Sequence, residues 1–433
     1  MNISVKQGLF NKKGLIFGEF CIKIKVTSFL SGGFYMNVYI SEKAKGVSPS
    51  PTLSLDAKYK QMQKQGIPVV GFGAGEPDFE TPDNVKAAAI KAINEGFTRY
   101  TPASGTVELK TAICDKFKRD LGLDYGIENI VVSNGGKHAL TNIFMAICNP
   151  GDEVIIPAPF WVSYPEMVKM ADGKPVYLNT TEENNFKFSA DELRACITDK
   201  TRALVMNTPS NPTGMVYTKA ELEEIAKIAV ENNIYVIFDE IYEKLVYDGE
   251  HVNIATLGED IKKLTIIVNG MAKAYAMTGW RIGYTASAPE IAKAMSNIQS
   301  HATSNPNSIA QAASVEALNG DQSTIDVMRA EYIKRRNYMV ERINSIDGIS
   351  CKNPQGAFYI FMNVKDLLGK EHYGKMMNTA SELCADMLDR ALVALVPSEG
   401  FGIDGYVRLS YATSMENIKT GLDRIEKYIK GEY

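Results

Sequence analysis

From residue 84 onward one pattern repeats along the chain: a short apolar run, a polar turn, a helical stretch, then another apolar run. The runs fall at Ile130–Ser133, 153–157, 175–178, 203–207, Tyr235–Asp239 and 264–269. They are apolar almost throughout instead of alternating, which suits strands covered on both faces. Strands of that kind separated by helices predict an α/β domain with a largely parallel sheet. Helical periodicity marks 84–94, behind the turn signal Thr81-Pro82-Asp83, and also Val107–Leu121 and Lys219–Asn232. After residue 305 long charged helices, 323–346 and 381–391, interleave with strands at 358–362 and 406–412, which predicts a smaller α+β domain. A further helix is expected at 54–65.

The 433 residues, 45% hydrophobic and 23% charged, supply ample core for two or three domains and exclude disorder as the dominant state. A net charge of -4 leaves no basic footprint for nucleic acid, and no apolar run approaches the roughly 20 residues that span a bilayer. The six cysteines form no C-x-x-C pair and the four histidines are scattered, so neither a metal site nor a disulfide framework is expected, and a reducing cytoplasm is. Residues 1–35 carry five lysines, one acid and no arginine, without a globular pattern or a clean signal-peptide h-region. They are expected to be an extension ahead of a true start at Met36.

Lys273 lies in Gly270-Met271-Ala272-Lys273-Ala274-Tyr275, a lone lysine among small and apolar residues, with Arg281 eight positions on. Desolvation lowers an amine's pKa and makes it a nucleophile toward a carbonyl, as a Schiff-base lysine requires; a loop lysine snorkelling to solvent is the plain alternative. Asp239 closes the run Tyr235–Asp239. In open α/β sheets ligands bind beyond the carboxyl ends of strands, so this carboxylate is either a site residue or a helix N-cap, with Tyr242 three residues further on. After Ile130–Ser133 come Gly135, Gly136 and Lys137 ahead of a helical pattern at 138–148, either an anion site at a helix N-terminus or a tight connection. Arg281 would add a bidentate fork to such an anion. Asn211, in a turn-rich Asn-Pro-Thr-Gly stretch behind another strand, is a candidate contact, and Trp161 is placed either to stack on a flat ring or to fill a core. Arg408 is a charge inside an apolar strand, a carboxylate receptor or an edge residue. Gly71-Phe72-Gly73-Ala74-Gly75 is no dinucleotide loop, because Pro77 blocks the helix that such a loop opens.

Taken in order, Gly75-Glu76-Pro77-Asp78-Phe79, Tyr100-Thr101-Pro102, Gly135-Gly136-Lys137, the run 159–165 around Trp161, Asn211-Pro212-Thr213-Gly214, Asp239-Glu240-Ile241-Tyr242, the run 273–283 and Arg408-Leu409-Ser410-Tyr411-Ala412 resemble the class I, fold-type I pyridoxal phosphate (PLP) aminotransferases, nearest to the bacterial aspartate aminotransferase branch. The resemblance covers about 47 to 430. It implies a large domain, 84–319, with a mostly parallel seven-stranded sheet flanked by helices, and a small α+β domain from 36–83 and 320–433.

By the same resemblance Lys273 bonds the cofactor and moves the substrate's α-proton, Asp239 faces the pyridine nitrogen, and Tyr242 and Asn211 hold the ring oxygen. Gly135, Gly136 and Arg281 hold the phosphate, with Tyr100 joining from a second subunit of a homodimer. Trp161 stacks on the ring, Gly75 donates a backbone contact, Arg408 forks the substrate α-carboxylate, and Lys137 meets the distal one. Gly270 stands where many relatives have serine, so one phosphate contact is lost or replaced. The activity implied is amino transfer from aspartate to 2-oxoglutarate, with small amino and keto acids as substrates and neither nucleic acid nor membrane as a partner. Aromatic or prephenate specificity is the alternative. A non-catalytic sensor on the same fold would add an N-terminal helix-turn-helix, and no such pattern precedes the matched region.

Overall fold

The computed structural model describes residues 39–49 and 51–433. The extension expected at 1–35 lies outside them. Seven strands, β1 (Ile130–Ser133), β2 (Glu153–Ala158), β3 (Lys174–Asn179), β4 (Thr201–Asn207), β5 (Tyr235–Asp239), β6 (Thr265–Gly270) and β7 (Gly283–Ala286), form one sheet in the order β1-β7-β6-β5-β4-β2-β3. β7 is antiparallel to both its neighbours, and every other pairing is parallel. β1 to β6 therefore all deliver their carboxyl ends to one edge.

The local chemistry of the helices explains why the strands sit where they do. Helix Lys219–Asn232 starts in a capping box, with Thr218 and Glu221 satisfying each other's backbone N–H groups, and stops at Asn233 in the left-handed conformation. Its stripe of Leu222, Ile225, Ala226 and Ala229 packs with Val236 and Phe238 of β5 in a single cluster. Val236, Ile237 and Phe238 are fully buried, each contributing roughly 1.5–3 kcal/mol over an exposed position. A strand with no exposed face cannot slip register cheaply, and its last residue, Asp239, is held accordingly.

Six of the seven strands are the apolar runs expected from the pattern. β6 begins one residue later than expected because Leu264 closes helix Glu259–Leu264. β7, Gly-Tyr-Thr-Ala, lacks an apolar run of its own and is a strand because it fills the gap between β1 and β6.

A second, antiparallel sheet combines Val396–Pro397, Tyr406–Ser410, Tyr359–Asn363 and Ser350–Cys351. Helices Ser323–Asn344, Ala380–Ala391 and Met415–Ile429 surround it, and Phe72, Tyr332, Met339, Phe358 and Leu422 belong to its apolar cluster. The short strand Val70–Gly71 pairs in parallel with Val393–Ala394. That pairing carries Gly73, Ala74 and Gly75 toward the carboxyl edge of the large sheet. Residues Glu42–Tyr433 form one compact unit.

Candidate active site

Five strand ends converge on one cavity. β1 runs into Gly135 (φ 88°), from which helix Gly136–Ile147 starts. A Cβ on Gly135 would strike the Arg281 guanidinium, and one on Gly283 would strike the Gly135–Gly136 backbone, so glycines let the turn lie flat against β7 beneath Arg281. β2 leads to Trp161, β4 to Asn211, β5 ends in Asp239, and β6 runs on to Lys273. The cavity has a volume of about 490 Å³, and Gly136, Lys137, Trp161, Asn211, Asp239 and Tyr242 all line it. Lys273, Arg281, Gly75 and Arg408 are part of the same wall.

Each group is anchored by named partners. Tyr164 Oη donates to Asp239 Oδ2 at 2.6 Å, and the Ile241 amide donates to Oδ1 at 3.2 Å. Asn207 Nδ2 donates to the Asp239 carbonyl at 3.0 Å, and Asn207 Oδ1 accepts from the Asn211 amide at 2.8 Å. The Arg408 guanidinium donates to Asn211 Oδ1 and to Gly73 O, both at 3.0 Å, and lies over the Tyr359 ring, 4.6 Å from its centre. Its buried Nε has no hydrogen-bond partner among the described residues. Tyr242 and Tyr359 share a hydrogen bond of 2.8 Å between their hydroxyls. Lys137 Nζ sits 5.2 Å from the centre of the Trp161 ring, and Lys273 Nζ donates to Gly75 O. One side of the cavity is thus a helix N-terminus with an arginine, and another a buried arginine with donor capacity unspent.

Burial shifts the titration of these groups. The Lys273 amine falls to about 8, because burial disfavours the ammonium and Arg408 and Arg281 repel it, with Glu76 pulling the other way. Lys137 is lowered by burial and by Arg281. Asp239 rises to about 6, chiefly through burial, against the downward pull of Tyr164 and the Ile241 amide. In the ligand-free protein this carboxyl holds its proton where the unfolded chain has released it. Stability therefore declines as pH rises from about 4 to about 6 and stays reduced above. Asp239→Asn removes that penalty and is expected to stabilise ligand-free protein at neutral pH by roughly 3 kcal/mol. The check is melting temperature against pH, and a mutant-to-wild-type difference that does not vary between pH 4 and 8 contradicts it.

Gly270 and Gly283 face each other across the antiparallel β6–β7 pair. A Cβ on Gly270 would lie 2.8 Å from Ile282 O and 2.9 Å from Gly283 Cα, both backbone. The serine of many resembling proteins does not fit here without moving a strand. Gly270→Ser is expected to lower stability by about 1–3 kcal/mol, read as a fall in melting temperature; an unchanged value refutes the clash.

Two residues singled out from sequence lie off the cavity wall. Gly135 sits one position before it, under Arg281, and Tyr100 is 92% exposed on the outer surface. Sequence reasoning passed over Tyr164, Tyr359, Glu76, Thr278 and Lys60, which also line the cavity. Tyr164 lies within the 159–165 run, and its partner Asp239 is 75 residues away. Behind the site, Glu240, Glu243 and His251 bring possible ligand atoms within 4.8 Å of one another. Lys116 already pairs with Glu243 at 2.6 Å, and Asn253, Asn269 and His251 take the oxygens of Glu240. The cluster is an ionic network at the ends of β5 and β6, in which His251 Nδ1 has no hydrogen-bond partner among the described residues.

Residues 67–425 match the family described as aminotransferase class I and II. An aspartate aminotransferase of Bacillus sp. (strain YM-2) is 48% identical over 91% of this chain and its own full length. A probable aspartate/prephenate aminotransferase of Rickettsia conorii is 47% identical over 90% of this chain and 98% of its own. Among solved structures, the aspartate aminotransferase of Rhizobium meliloti superposes with a TM-score of 0.88 at 42% identity, covering 91% of this chain and 99% of its own. That of Thermus thermophilus with maleate gives 0.86 at 41% identity, covering 90% and 100%. With a family model matching 67–425 and relatives at 42–48% identity over about nine-tenths of its length, the chain belongs to the class I and II aminotransferases.

Proposed function

We propose that this protein is an aspartate aminotransferase, moving the amino group of L-aspartate reversibly to 2-oxoglutarate, with PLP as cofactor. The observation that carries the reading is that one cavity holds Lys273 together with two separate cationic groups, Arg408 with an unspent N–H and Lys137 against Trp161. A four-carbon dicarboxylate needs such a pair. The Bacillus relative bears the aspartate aminotransferase name, and the Thermus relative was solved with maleate, itself a four-carbon dicarboxylate.

The residues fit PLP. The Gly135–Gly136 turn and Arg281 would hold its phosphate, Asp239 its pyridine nitrogen, Tyr242 and Asn211 its ring oxygen, and Trp161 its face. PLP supplies an electron sink for the bond broken at the substrate Cα. Asp239, which accepts a hydrogen bond from Tyr164, would hold a proton on the ring nitrogen. Arg408 forks the substrate α-carboxylate, assisted by the Gly75 backbone, and Lys137 takes the distal carboxylate. Substrate held at both ends presents its Cα–H to Lys273, whose depressed pKa leaves the amine able to take the proton and return it.

The exposure of Tyr100 suits a residue that serves the site of a second copy, and a homodimer acting in the cytoplasm completes the reading. The pairing of Val70–Gly71 with Val393–Ala394 supports a small domain of 36–83 and 320–433 beside a large one of 84–319.

The test is kcat/KM for aspartate, glutamate, phenylalanine, oxaloacetate, 2-oxoglutarate and prephenate. Aspartate, glutamate, oxaloacetate and 2-oxoglutarate should lead phenylalanine and prephenate by at least about a hundredfold, with Lys137→Ala narrowing the gap over phenylalanine. Prephenate used as well as 2-oxoglutarate widens the function to a bifunctional enzyme, and a preference for phenylalanine overturns it.

A further inference from the structure

The cavity brings Lys60, Lys137, Lys273, Arg281 and Arg408 together with two acids, Asp239 and Glu76. Asp239 has a task in the proposed reaction, whereas Glu76 has none. A carboxylate here repels both a phosphate and a dicarboxylate substrate, so its presence calls for a compensating contribution. Its bond supplies one: Thr278 Oγ1 donates to Glu76 Oε2 at 2.8 Å, and the Thr278 carbonyl accepts from Arg281 at 2.8 Å.

Arg281 needs such support. It is exposed, has a left-handed backbone (φ 58°), and among the described residues its side chain hydrogen-bonds only to carbonyls, those of Thr278 and, at 3.5 Å, of Asn134. No ion pair fixes it among the described residues. The loop between Lys273 and Arg281 turns through Ala276, also left-handed (φ 49°), and a short 3-10 turn, Thr278–Trp280. A second rung braces it: Thr81 Oγ1 donates to Ala276 O at 2.8 Å and accepts from Trp280 Nε1 at 3.1 Å. Residues 76–81 thus run along the loop as a strap, with Glu76 on the rung next to Arg281. Just ahead of the strap, Gly73 O accepts from Arg408 and Gly75 O from Lys273.

We propose that Glu76 is a positioning residue that, through the Thr278 hydroxyl, holds Arg281 in place for the cofactor phosphate. This rests on the reading of Arg281 as a phosphate ligand. The carboxylate acts by accepting a hydrogen bond, and its charge is a cost that the bond outweighs.

The test compares the dissociation constant of PLP, released from and rebound to the enzyme, with that of pyridoxal, which lacks the phosphate. Thr278→Val and Glu76→Ala are expected to weaken PLP about tenfold, the worth of one hydrogen bond to a charged group, while pyridoxal stays within about twofold. Thr278→Ser and Glu76→Gln, which keep a donor and an acceptor, should restore PLP affinity. If Thr278→Val and Glu76→Ala leave PLP affinity unchanged, or weaken PLP and pyridoxal alike, the positioning role is wrong. If Glu76→Gln weakens PLP as much as Glu76→Ala, the charge and not the bond is at work, and the proposal falls. Arg281→Ala separates the two levels. Should it weaken PLP selectively while Thr278→Val does not, the strap alone is refuted; should it fail to discriminate PLP from pyridoxal, the phosphate reading and the strap fall together.

Discussion

Lys273→Ala is expected to bind PLP and aspartate but to transaminate about ten-thousandfold more slowly than the wild type, the upper range of what a positioned base contributes. Binding survives because the receptors are elsewhere: Arg281 stands over the Gly135 turn, and Arg408 is held by Asn211 and Gly73. Chemistry does not, because the lost group is the cavity amine that follows β6, with its pKa lowered to about 8. Lys137 is also lowered, but it stands against Trp161. Rapid-mixing measurement of product formed in one turnover checks this. A wild-type rate would remove Lys273 from the mechanism.

Arg408→Leu is the second large effect. Arg408 is 3% exposed, burial lowers its pKa, and two of its nitrogens are committed to neutral oxygens while Nε is left over. A desolvated fork of this kind gains most from a carboxylate, and removing one partner of a buried pair costs about 3–5 kcal/mol. That predicts a loss in kcat/KM for aspartate of roughly a hundredfold to several thousandfold. PLP affinity should change little, and an amine substrate without an α-carboxylate should react as before. A loss below threefold for aspartate, or an equal loss for the amine, contradicts the assignment.

The difference between what the sequence discloses and what it hides is physical. β5 is legible because it is buried on both faces, so its whole length is apolar and its polar terminus, Asp239, stands out. Lys273 is legible because its neighbours are small and apolar. Tyr164 and Tyr359 are not, since a tyrosine in an apolar run looks like core until the fold brings Asp239 or Tyr242 to its hydroxyl from 75 or 117 positions away. β7 is hidden for a related reason: four residues, two of them Gly and Thr, become a strand only because β1 and β6 leave a place between them. Gly270 shows the converse. The sequence marks it as a missing serine, and the fold shows a backbone, Ile282 O, occupying the space.

The claim at the centre of the account is that one active site exchanges an amino group between aspartate and a keto acid. The most direct measurement is to mix PLP-loaded enzyme with excess L-aspartate and no keto acid, and to count the oxaloacetate released. The account predicts one equivalent per bound cofactor, then a halt that ends when 2-oxoglutarate is added. No oxaloacetate, or continuous release accompanied by ammonia, would contradict it.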